Sequence, residues 1–132
     1  MSNEINDIEF KHSPRSILNE NYCVAIPVNS EKIFLFWKFS SYKLSEFENS
    51  FLDRNITIRV FEKNGNKIAE IETDYMSSKI YIAIPQAGLP IYAVIYVKDK
   101  YGNIGEIARS NEVTLSYERE LRKEYNYLRW RY

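Results

Sequence analysis

Apolar and polar positions alternate along most of the chain with a period of two, and this is interrupted twice by stretches of helical spacing. The densest apolar run is 33–39, Ile-Phe-Leu-Phe-Trp-Lys-Phe, bounded by Asn29, Ser30 and Glu31 before it and Ser40 and Ser41 after it. A run this short and aromatic predicts a strand buried on both faces, at the centre of an all-β core. Residues 22–28 predict a preceding strand whose Pro27 belongs at a sheet edge or strand end, because proline cannot donate to a ladder. Over 41–52, Leu44, Phe47 and Phe51 fall at helical spacing, which predicts a connecting helix of about three turns capped by Ser41.

Strand character returns at 56–63 and 67–73, separated by Asn64-Gly65, a strong hairpin signal. A two-residue type I′ loop here pairs Lys63 with Asn66. It places Ile56, Ile58, Val60, Ala69 and Ile71 on a core face, and sets Arg59 opposite Glu70 and Phe61 opposite Ile68 on the exposed one. Further strands are predicted at 80–84, ended by Pro85, and at 91–98, where Ile91, Ala93, Ile95 and Val97 alternate with Tyr92, Val94 and Tyr96. A turn containing Gly102 leads to 104–109 and 112–115, with Ser110-Asn111 turning the chain between them. This pattern predicts an all-β, immunoglobulin/fibronectin-like antiparallel β-sandwich with one internal helix and a C-terminal amphipathic helix. The domain plan is a polar arm over 1–20, the sandwich over 21–116 and the C-terminal helix over 117–132.

The order of these segments resembles a bacterial family known only as domain of unknown function 4912, over 21–115. The residues that carry the resemblance are Phe36-Trp37-Lys38, Ile58-Arg59-Val60-Phe61-Glu62, Ile80-Tyr81, Tyr92-Ala93-Val94 and Ser110-Asn111-Glu112-Val113. The chain departs from the family pattern at Asn29-Ser30, where Asp-Pro is common, at Lys38, where Glu is usual, and at Ile80, where an aromatic is usual. The resemblance implies a β-sandwich with no assigned activity, and a neighbourhood with glucan-branching enzymes.

Composition narrows the chemistry. Eighteen basic and eighteen acidic residues balance in 132, so no global field draws the chain to nucleic acid or an anionic membrane. His12 is the sole histidine and Cys23 the sole cysteine, too few for a zinc set, a His-based triad marked by any motif, or an internal disulfide. Cys23 reads as a small buried hydrophobe, and no glycine-rich phosphate loop is present. With no secretory signal or apolar run of membrane-spanning length, a reducing cytoplasm is expected. Carboxylates such as Asp53, Glu62, Asp74 and Asp99 form no recognisable catalytic pair. A non-enzymatic module without cofactor or metal is therefore expected.

Aromatic residues reach 15%, with 11 tyrosines, and they supply the candidate surfaces. Trp37 is either a core residue between two sheets or a platform for a sugar ring with Tyr81, Tyr92 or Tyr96 nearby and Arg59 stacked on it. In the tail, Tyr117, Leu121, Tyr125, Leu128 and Tyr132 share a helical stripe, with Trp130 beside them. That stripe either docks on the chain's own sheet or attaches to a protein partner or a second copy. Arg129 and Arg131 flank Trp130 but Glu118, Glu120 and Glu124 intervene, which argues against nucleic acid. The expectation is a protein-interaction or assembly module, with glucan binding through Trp37 as the alternative.

Overall fold

The structure is a computed structural model, and the residues described are 20–85 and 88–115. The arm over 1–19 and the C-terminal helix expected over 117–132 lie outside them. Eight strands, β1 (Tyr22–Asn29), β2 (Lys32–Lys38), β3 (Asn55–Glu62), β4 (Lys67–Asp74), β5 (Lys79–Ala83), β6 (Pro90–Lys98), β7 (Ile104–Arg109) and β8 (Val113–Thr114), form two antiparallel sheets. One sheet has the order β1-β2-β5; the other runs β4-β3-β6-β7, with β8 also paired to β6. The chain crosses between sheets after β2, through helix α1 (Ser41–Glu48), after β4, through the 3₁₀ turn Tyr75–Ser77, and again after β5.

Period-two burial builds the core. Cys23, Ala25, Ile33, Leu35, Trp37 and Ile82 face inward from the smaller sheet, and Ile56, Ile58, Val60, Ile91, Ala93 and Ile95 meet them from the larger one. Pro27 sits where the β1 register shifts on an edge strand, as its missing N–H requires.

β2 is central to its sheet, but it is buried on one face only: Phe34 and Phe36 are half-buried on the outside. Five consecutive apolar or aromatic residues, 33–37, carry no parity of their own, whereas Lys32 and Lys38 share the parity of the two outward phenylalanines.

The helix is shorter than its apolar spacing suggests. Ser40, not Ser41, caps it, its hydroxyl accepting from the Lys43 N–H at 3.2 Å. Left-handed Ser50 (φ 71°) follows the helix, which ends at Glu48. Phe47 is its one buried residue; the ring stacks on Phe39 at 5.6 Å and on Tyr75 at 4.2 Å, closing one end of the sandwich.

The β3–β4 hairpin also departs from the two-residue expectation. The Gly65 N–H donates to Glu62 O and the Glu62 N–H to Asn66 O, so Lys63-Asn64-Gly65 is a three-residue loop with Gly65 at φ 101°. That shifts the register by one, and a bulge at Ile68 shifts it back. The core face and the Arg59–Glu70 pairing therefore stand as expected, but Phe61 opposes Lys67, and Ile68 packs against the core.

Candidate functional site

The five candidate residues of the folded domain fall into three places. Trp37 is 4% exposed, and its indole N–H donates to Tyr75 O at 3.1 Å, so it is a core residue and no sugar platform. The backbone amide of Trp37 also donates to Ser78 O, at 3.0 Å, tying β2 to the 3₁₀ turn. Tyr75 anchors that turn, and sequence reading missed it; the local signal was Asp74, whose carboxylate accepts from the Met76 N–H at 2.8 Å. Beside Trp37 runs an apolar groove of about 300 Å³ lined by Phe39, Leu44, Tyr75 and Met76.

Arg59, Tyr92 and Tyr96 come together on the outer face of the larger sheet. The Arg59 guanidinium lies 4.8 Å from the Tyr96 ring centroid, and Arg109 lies 5.1 Å from that of Tyr92, which stacks on Phe61 at 5.7 Å. Between them Val94 is buried although it points outward, with Arg59 and Arg109 as its register partners on β3 and β7.

Arg59 and Arg109 are each also met by a carboxylate. Glu70 accepts from Arg59 Nε at 3.1 Å and from Lys67 Nζ at 2.7 Å. The Lys67 hydrogen bond, followed by the charges of Lys67 and Arg59, holds Glu70 below the ordinary carboxylate range. Glu106 takes Arg109 in a two-pronged contact at 3.0 and 3.1 Å, which lowers its pKa and raises that of Arg109. A β7 bulge makes this contact: Ile95 opposes Ala108 and Tyr96 opposes Glu106, so residues three apart share a face. A polar cleft of about 160 Å³ adjoins, lined in part by Asp53, Asn55, Thr57 and Glu72. Arg59, Lys67 and Glu70, and Arg109 and Glu106, thus satisfy one another, while Glu72 and Lys98 of the same face form no ion pair among the described residues.

Tyr81 lies on the opposite side of the molecule. On the outer face of β1-β2-β5 the register sets Val24 beside Phe36 and Lys79, and Ile26 beside Phe34 and Tyr81, with Tyr22–Lys38 at one end and Lys32–Ala83 at the other. Ile26 is 45% and Tyr81 60% exposed; Phe34 packs on Tyr81 at 4.9 Å and on Phe36 at 6.1 Å. Lys32 sits 5.6 Å from the Tyr81 ring centroid. These paired positions include no carboxylate, and Lys32, Lys38 and Lys79 form no ion pair among the described residues.

The Ser110-Asn111 step turns the chain as expected and does more. Ser110 Oγ accepts from the Ala93 N–H at 2.9 Å and donates to Asn111 O at 2.8 Å, filling the gap where β7 hands over to β8 beside β6. The Asn111 amide crosses to the other sheet, accepting from the Ala25 N–H at 2.9 Å and donating to Ala25 O at 3.1 Å. It thereby occupies part of the open edge of β1.

Cys23 is buried in the core, and burial, with a smaller effect of the Glu106 charge, pushes its thiol up to about 12. Among the described residues no group of three or more His, Cys, Asp or Glu side chains could hold a metal ion, and no helix is long and apolar enough to cross a membrane. The tail candidates Tyr117, Leu121, Tyr125, Leu128, Trp130 and Tyr132 lie outside the described residues.

A three-stranded sheet of order β1-β2-β5 against a larger β4-β3-β6-β7 sheet defines a fibronectin-like β-sandwich. Solved structures carry the same fold: a fibronectin type III domain of human collagen XX superimposes with a TM-score of 0.53 at 15% identity, covering 74% of this chain and 91% of that one. The twitchin kinase region from C. elegans, which includes such a domain, gives 0.54 at 18% identity over 74% of this chain and 16% of its own. The sequence pattern of the family described as Domain of unknown function (DUF4912) matches residues 18–123, and the chain belongs to that family. No curated protein sequence matches it.

Proposed function

We propose that this domain is a non-catalytic protein-interaction module whose contact surface is the outer face of the β1-β2-β5 sheet. The observation that carries this reading is the contrast between the two outer faces. On the larger sheet, aromatic rings and cations are consumed by one another. On the smaller sheet, Ile26, Phe34, Phe36 and Tyr81 form a contiguous apolar surface among three lysines that make no ion pair among the described residues. Contiguous exposed apolar area rimmed by polar groups is costly to leave in water and marks sites of association. Charge selects the kind of partner: two copies meeting through this face would set lysines against lysines, whereas an apolar surface carrying carboxylates complements it.

Burial of Trp37 removes the platform on which glucan binding was expected, and the remaining tyrosines are split between opposite faces. The exposed carboxylates with lowered pKa, Glu70, Asp99 and Glu106, are engaged by structural hydrogen bonds, which supports a non-catalytic role.

The probe for this surface is 8-anilinonaphthalene sulfonate, an aromatic anion that fits an apolar face edged with lysine. Titrated to saturation, the dye is expected to bind the full chain, to weaken at least fivefold in Phe34→Ser/Tyr81→Ser and in Lys32→Glu/Lys79→Glu, and to be unchanged in Arg59→Ala. Equal binding by all four proteins would remove this face from consideration.

A further inference from the structure

The unbalanced lysine face has a complement within the same chain. Residues 4–10 read Glu-Ile-Asn-Asp-Ile-Glu-Phe: three carboxylates, no basic residue, and Ile8 and Phe10 alternating with Asp7 and Glu9. Over 7–10 such alternation, in an extended segment, separates Ile8 and Phe10 from Asp7 and Glu9, while Glu4 and Ile5 fall outside it. We propose that residues 4–10, which lie outside the described residues, dock in cis on the outer face of β1-β2-β5, setting Ile8 and Phe10 against Phe34, Phe36 and Tyr81 and the carboxylates toward Lys32, Lys38 and Lys79. This rests on the reading of that face as the contact surface and adds its first occupant.

Topology makes the docking short-range. The chain enters the domain at Tyr22, whose partner Lys38 is one of the three lysines, so the arm begins at the border of the face it covers. Residues 11–21 can span about 36–40 Å when extended, while the eight residues of β1 run about 26 Å. Every row of the face is within reach. A tether of this length holds the segment at an effective concentration in the millimolar range, enough for a weak contact to be populated. An outside partner must then bring more apolar area or more negative charge than residues 4–10 and displace them, so the arm acts as a built-in competitor that sets an affinity threshold.

The test places a nitroxide on an Asn6→Cys variant of the full chain; Cys23 is buried and does not compete for the label. Amide signals of Ile26, Phe34 and Tyr81 should lose at least half their intensity, those of Arg59 and Tyr92 on the far sheet should keep theirs, and reduction of the nitroxide should restore all of them. The effect should weaken at 1 M salt and disappear with Ile8→Ser/Phe10→Ser. A mixture of spin-labelled chain and isotope-labelled, nitroxide-free chain should show no loss. Signal loss spread over both sheets, loss that survives Ile8→Ser/Phe10→Ser, or loss that appears between molecules in the mixture would overturn docking in cis. The two proposals fail separately. A dye that still follows Phe34, Tyr81 and the lysines, without selective signal loss, leaves the contact face standing and sinks the docking, whereas a dye indifferent to that face sinks the reading on which docking rests.

Discussion

Replacing Ser110 by alanine tests the account of how β7 hands over to β8. The change removes one oxygen, creates no cavity to speak of and adds no steric demand, so its cost isolates the hydroxyl's two hydrogen bonds, one accepted from the Ala93 N–H and one donated to Asn111 O. The Ala93 N–H that Ser110 Oγ accepts is fully buried, at 0% exposure, and lies on a central strand with β3 on its other side. Without the hydroxyl this N–H loses its partner in a place water does not reach, which costs about 1–3 kcal/mol. The backbone bond from the Ser110 N–H to Ala93 O, 2.8 Å, is unaffected and holds the chain in position, so relaxation does little to relieve the loss. Ser45→Ala is the matched control: that hydroxyl donates to Tyr42 O from the solvent side of α1, and alanine is the better helix former. It should change stability by no more than about 0.5 kcal/mol, in either direction. Urea unfolding followed by far-ultraviolet circular dichroism measures both, with the slope checked to be constant. If Ser110→Ala proves as stable as Ser45→Ala, the hydroxyl is replaceable by water and the reading of this step as a buried staple is wrong.

Asn111→Ala should cost about 1–3 kcal/mol by stripping both partners from Ala25, and it should also free the β1 edge, so light scattering should report more association than in the parent chain. Stability should fall on acidification: Asp99, lowered first by the Asn103 backbone N–H, and Glu70 and Glu106, lowered by their cationic partners, all bind fewer protons folded than unfolded. Their contribution is thus present above the unfolded carboxylate range of about 4 and is lost as pH falls through the lower folded values. Asp99→Asn should flatten the urea midpoint between pH 5 and pH 2 relative to the parent, and parallel curves would count against it. Cys23 should resist a thiol reagent in the native chain at pH 8 and react at the rate of unfolding; immediate stoichiometric labelling would contradict its burial and raised pKa.

Strand positions were legible because one face of each strand is buried, and a period of two then writes the core directly: Ile56, Ile58 and Val60, or Ile91, Ala93 and Ile95. What stayed hidden follows from devices that leave no periodic trace. The bulge at Ile68 and the bulge in β7 each add one residue, yet they decide that Ile68 packs inward and that Glu106 and Arg109 share a face. The assignment of Trp37 depended on which parity of an all-apolar strand turns inward; Lys32 and Lys38, spaced with Phe34 and Phe36, were the readable clue. Arg59, Tyr92 and Tyr96 come together without the Trp37 on which the expected platform was centred, and Tyr81 belongs to the other sheet, because strand order is set by long-range pairing that no local pattern encodes.

The balance of eighteen acidic and eighteen basic residues argued, at the level of composition, against any strong electrostatic preference. The fold changes that conclusion, because the balance is not local. β3, β4 and β7 carry most of their outward charges in mutually satisfied sets, Arg59 with Glu70 and Lys67, and Arg109 with Glu106. Those sets contribute little field outside the surface they cover, as exposed pairs do once screened by salt. The outer face of β1-β2-β5 keeps three lysines with no carboxylate among them, while three of the eighteen acidic residues are concentrated in residues 4–10. A chain with no net charge thus distributes its charge unevenly, with three lysines on one apolar sheet face and three carboxylates within one short stretch of sequence. On the proposed reading the face would select for a carboxylate-bearing, apolar ligand, and the neutrality of the whole chain would leave that selection undisturbed by attraction from elsewhere on the molecule.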